Sequence, residues 1–188
     1  MFGRWVRASF AGWALGFLLV LVIIAVSGVI GLGSTQFPVG LGMGLGVGAI
    51  QGGVMERLGV RRVSWLRASA LGLATPFVVN DVLQVIWPRI PFSLPLLIVF
   101  GGLLAGILQW RLIRRVVLRG EAWILASVAG WSIAGSTVFI NERFLPRIPG
   151  IVGALLYIGV VLVGGIALGA IGGVALQRLV QRDAVPAS

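Results

Sequence analysis

Six apolar stretches, each long enough to cross a bilayer, alternate along the chain with short segments that gather nearly all of its charge. A helix spans the hydrocarbon core with about 20 residues, because its backbone polar groups are satisfied internally. The pattern predicts spans at Phe10–Leu32, Pro38–Met55, Ala68–Trp87, Leu94–Leu112, Ala122–Ile140 and Ile151–Leu176. Together they make one transmembrane domain over residues 1–188, an all-α integral membrane six-helix bundle.

The apolar stretches repeat. Trp5–Gly12, Trp65–Gly72 and Trp123–Gly130 all read W-x-x-A-S-x-x-G at the start of an odd-numbered span. Even-numbered spans carry G-x-x-x-G, at Gly44 and Gly48, Gly102 and Gly106, Gly165 and Gly169. Gln51 and Gln109 follow the first two pairs in one register, and Gly172 stands in the third. P-R-I-P recurs at Pro88–Pro91 and Pro146–Pro149. A chain that repeats a two-span unit in this way, with a lone odd span first and a lone even span last, predicts a ring of three hairpins cut within one of them. The expected symmetry is a pseudo-threefold repeat of two-helix hairpins about the membrane normal.

The glycines at Gly44, Gly48, Gly102, Gly106, Gly165 and Gly169 are candidate helix-packing positions, since small-xxx-small stripes let backbones approach where lipid supplies no hydrophobic drive. They place the even-numbered helices nearest the centre. Trp5, Trp65 and Trp123, flanking spans, are expected at the membrane interface.

Arginine sets the orientation. Arg4, Arg7, Arg57, Arg61, Arg62, Arg67, Arg111, Arg114, Arg115, Arg119, Arg178 and Arg182 fall on one side, leaving Arg89, Arg143 and Arg147 on the other. The positive-inside rule then gives N-in/C-in topology, a multi-pass protein of the bacterial plasma (inner) membrane. The net charge of +10 is thereby explained without nucleic acid.

Composition narrows the chemistry. The chain is 59% hydrophobic and 11% charged, with no cysteine and no histidine. It therefore offers no disulfide or thiolate, and it lacks the commonest general base and metal ligand. No catalytic residue, metal site or cofactor is expected, and the protein is read as no enzyme. Gln51 and Gln109 are expected to hydrogen-bond between helices. A candidate polar outward site gathers Asn80, Asp81, Arg89, Asn141, Glu142 and Arg147. Asp81 should lie nearly a turn deeper than Glu142, where an acid is costly unless paired, hydrated or functional.

The stretch from Gly102 to Gly135, with G-x-x-x-G-x-x-Q-W, then R-R, A-W and G-W, resembles a group of bacterial multi-span membrane proteins that repeat these motifs. That resemblance implies a fold and a membrane, and no activity. Two functional readings stand side by side. One is a non-catalytic accessory or scaffold subunit of a larger membrane complex, with protein subunits as partners and contacts to lipid, carotenoid or chlorin pigment. The other is a small transporter or solute-binding component, similar in size to energy-coupling-factor substrate-binding subunits.

Overall fold

The computed structural model describes residues 1–88, 93–116, 120–144, 148 and 150–183, apart from the side chains of 142, 144, 182 and 183. It contains six helices: α1 Phe2–Val29, α2 Phe37–Glu56, α3 Arg62–Ile86, α4 Leu94–Ile113, α5 Ala122–Phe144 and α6 Gly150–Asp183. All six are long and apolar enough to cross a membrane, and the described residues contain no strand. The chain is a multi-pass membrane protein.

Helix ends differ most from expectation at α1, α3 and α6, which run beyond their apolar stretches into the flanking arginine segments. Hydropathy marks where lipid begins and ends. Backbone hydrogen bonding continues into the interface, where arginine is a good helix former. Two ends are glycine stops, and the first ends α1 at Val29, short of the expected Leu32. Gly31 and Gly59 adopt φ +79° and +83°, and Leu32 and Val60 donate back to Ser27 and Met55. Both are left-handed glycine caps that satisfy late carbonyls of α1 and α2.

The helices close one ring in chain order, each packing on its two neighbours, with α1 against α6. This arrangement corrects the expectation of inner even-numbered helices: none is central. Glycine serves every wall of the ring. A Cβ added at Gly48, Gly106 or Gly169 would meet the Cβ of Ser69, Ser127 or Ser9 at 2.7, 2.8 and 3.0 Å. Gly44 meets the Ala70 Cα at 2.6 Å, while Gly102 and Gly165 meet the Cβ of Trp131 and Trp13 at 2.7 Å. The odd-numbered helices contribute as much, since Gly12 lies against Val47, Gly72 against Ala105 and Gly130 against Leu168.

In α2, glycine falls at every second position from Gly40 to Gly48. Two residues turn a helix by about 200°, so that alternation makes two nearly opposite stripes. Gly40, Gly44 and Gly48 face α3, while Gly42 and Gly46 face Val20 and Gly16 of α1. The outer faces stay apolar and uncovered, as at Leu125 and Val22, which are 74% and 58% exposed. In this chain that surface meets lipid.

Candidate functional site

The centre of the ring is layered. At one end Trp5, Trp65 and Trp123 turn inward and contact one another, with ring centroids 5.5–6.0 Å apart in edge-to-face geometry. Each is at most 3% exposed, so these indoles pack inside the ring and do not serve as the lipid-facing anchors expected of them. The cause is register: Trp5, Ser9 and Gly12 share one helix face, so the residue that brings α1 against its neighbours also points Trp5 inside. Met55, Val60, Ile113 and Leu176 pack around the three indoles.

A polar layer follows. Trp123 Nε1 donates to Gln109 Oε1 (2.9 Å), Gln109 Nε2 to Ser69 Oγ (2.9 Å), and Ser69 Oγ to the Trp65 carbonyl (3.0 Å). Gln51 Nε2 donates to Ser9 Oγ at 2.9 Å. Both glutamines therefore bond between helices. Where Gly172 replaces the third glutamine, Ser127 Oγ turns instead to the Gly102 carbonyl, and the Trp5 indole fills the space, its Nε1 buried without a partner.

Beyond the glutamines, Trp13 and Trp131 face each other with centroids 5.6 Å apart. Trp13 Nε1 donates to the Val161 carbonyl of α6 at 2.7 Å. Leu73 of α3 joins them, at the same distance beyond Trp65 as Trp13 lies beyond Trp5 and Trp131 beyond Trp123. A leucine in place of a third indole leaves room. The result is a partly open central cavity of about 400 Å³, lined by all six helices, including Phe17, Met43, Phe77, Ile98, Val138 and Tyr157. Its wall is mostly apolar, and no sequence feature other than the Leu73 position marks it.

A second cavity of about 460 Å³, more open than the first, is lined by the polar residues Ser34, Thr35, Gln36, Asn80, Asp81 and Gln84 together with Val85. Gln36 lines both cavities. Asp81 explains its own depth. Its two carboxylate oxygens accept the backbone N–H groups of Gln36 and Phe37, both at 2.8 Å. Those are orphan donors at the start of α2, so an acid from α3 caps a neighbouring helix and sits at the positive end of its dipole.

The other residues of the expected outward site are dispersed. Asn80 shares the polar cavity with Asp81. Asn141, fully buried, donates from Nδ2 to the Tyr157 carbonyl at 3.1 Å and ties α5 to α6. Arg89, Arg147 and the Glu142 side chain lie outside the described residues. Among the described residues no group of three or more histidine, cysteine or acidic side chains is placed to hold a metal. No protein-family model, curated protein or solved structure matches the chain.

Proposed function

We propose that this protein is a solute-binding or transport component of the bacterial inner membrane that holds an apolar or amphipathic molecule in its central cavity. One observation carries the reading: six helices leave between them a partly open, mostly apolar space of about 400 Å³, bounded by indole rings at one end and polar groups at the other. Small-molecule sites have this character, concave and apolar with a few placed polar groups, and typically measure about 300–1,000 Å³. The layer of tryptophans and glutamines stops the space from running through the ring, so the molecule is bound from one side.

The architecture in this reading is a pseudo-threefold repeat, supported by the matching glycine–serine contacts of α2 with α3, α4 with α5 and α6 with α1. The arginine bias puts both termini in the cytoplasm, so the cavity faces outward. Binding is tested by thermal stabilisation of the purified protein with lipophilic probes, which raise stability only if they bind the folded state. Val138→Trp, which fills a half-buried part of the wall, should abolish that stabilisation; retained stabilisation would exclude the cavity as the site.

A scaffold role is favoured by a different feature, a groove of about 570 Å³ on α5 and α6 lined by Ala122, Ala126, Ala170, Val174 and Arg178. Gentle extraction and native mass analysis separate the two: stable co-purifying subunits support the scaffold, whereas a lone protein with a bound small molecule supports binding.

A further inference from the structure

Three walls of the ring carry the glycine–serine contacts, α2 with α3, α4 with α5 and α6 with α1, and one further residue pair decides how far each wall closes. Eight residues before the glycine stands Gly40, Ile98 or Val161, and eight after the serine stands Phe77, Gly135 or Phe17. In two walls one member is glycine. A Cβ on Gly40 would fall 2.6 Å from the Phe77 ring, and one on Gly135 would fall 2.8 Å from Ile98 Cγ2, so each large side chain lies in the space its small partner leaves. The third wall has valine and phenylalanine at these positions. Neither leaves room for the other, and Phe17 is only half-buried where Phe77 is buried.

Beyond that pair α1 and α6 part. Gly173, Gly169 and Gly165 meet Phe2, Ser9 and Trp13 of α1. Ile158 and Ile151 continue the same stripe of α6 in steps of two turns, yet Ile158 is 48% exposed and Ile151 more so. On α1, Ile24 stands three turns beyond Trp13 on the same face and is 43% exposed. The lips of this slot, Leu21 and Ile24 on one side and Leu155 and Ile158 on the other, are all apolar and all exposed. Phe17 and Val161, at its base, line the central cavity. Such lips offer nothing to a solute arriving from water, whereas lipid chains lie against them in the bilayer. We infer that the central cavity fills sideways, through the slot between α1 and α6, from the leaflet beside the α1–α2 turn, and that its occupant is one acyl chain of a bilayer lipid. The inference rests on the binding reading and names the substrate class of that cavity.

The test places the full chain in phosphatidylcholine vesicles that include phosphatidylcholine with a diazirine in one acyl chain. Photolysis should label Trp131, which lines the cavity and is buried from the surrounding lipid. Val161→Gly gives the third wall the combination found at Gly40 and Phe77, and Phe17→Gly gives it the one found at Ile98 and Gly135. Either variant should therefore close the slot and lose the Trp131 label. Closure is read separately: nitroxides on Ile24→Cys and Ile158→Cys, in a chain with no other cysteine, should lie closer together in both variants than in the parent. Trp131 labelling that persists after closure overturns entry through the slot, as does an unchanged nitroxide distance in both variants. If Trp131 of the parent stays unlabelled while lipophilic probes stabilise the protein and Val138→Trp abolishes that effect, sideways entry falls and the cavity reading stands. If neither the lipid nor any probe occupies the cavity, both fall.

Discussion

At the scale of single residues, the polar groups of this protein act by what they would leave unpaired. Gln109 accepts from Trp123 and donates to Ser69, whereas Gln51 makes only its bond to Ser9. Replacing Gln109 by leucine strands a buried indole N–H, a loss of about 1–3 kcal/mol. Gln51→Leu strands nothing comparable, because a serine can bond back to its own helix, as Ser69 does to Trp65. Thermal denaturation in detergent should therefore rank Gln109→Leu below Gln51→Leu, and the reverse order would remove the Gln109 relay from the argument. Asp81 obeys the same logic at the start of α2. Asp81→Asn keeps one acceptor for two backbone donors, so it should lower stability by about 0.5–2 kcal/mol, the range for loss of a helix cap. A variant as stable as the parent would mean that the two 2.8 Å bonds contribute nothing. That Asp81 is unusual was readable from its depth. Its partners were not, because they are backbone amides at the start of α2, and the expected pairing of α2 with α3 does not say which atoms of one helix the side chains of the other reach.

Among the helices, the decisive quantity is how closely backbones approach. Six apolar spans were legible because hydropathy and length alone define them, and the glycine stripes were legible as packing surfaces. What each stripe packs against was not. Gly12 belongs to an odd-numbered helix and lies outside the G-x-x-x-G pairs, yet a Cβ there would fall 2.8 Å from the Val47 Cα. Gly28, by contrast, has open space around it. Gly12→Leu should thus cost as much as Gly48→Leu, about 1–3 kcal/mol each by overpacking, while Gly28→Leu should be close to neutral. Unfolding midpoints of the three variants check this directly; equal midpoints for all three would contradict the closed glycine contacts. The tryptophans illustrate the limit of position as a guide. Trp5 and Trp87 both stand at helix ends, but Trp87 is 64% exposed and Trp5 only 1%. The difference lies in helix face: Trp5 shares its face with Ser9 and Gly12, and small residues on a face draw that face inward.

For the whole molecule, ring closure carries most of the consequences. The central cavity exists because α1 meets α6, and because Leu73 stands where two other odd-numbered helices place tryptophan. Closure is testable without a ligand, since the chain contains no cysteine and any introduced pair reacts alone. At Gly169 an added Cβ lies 3.0 Å from the Ser9 Cβ, at Gly48 it lies 2.7 Å from that of Ser69, and at Gly106 it lies 2.8 Å from that of Ser127. These separations are shorter than the about 3.5–4.5 Å of a disulfide, so each pair needs its helix contact to widen by at least about 0.5–0.8 Å. Ser9→Cys with Gly169→Cys should therefore oxidise in membranes as readily as Gly48→Cys with Ser69→Cys or Gly106→Cys with Ser127→Cys. Proteolysis between α3 and α4 then distinguishes the products: only the first pair keeps the two halves covalently joined across α1 and α6. Bridging by the two local pairs without the terminal one would open the ring between α1 and α6. The cavity would then lose a wall, and the matching glycine–serine contacts would describe two hairpins in place of three.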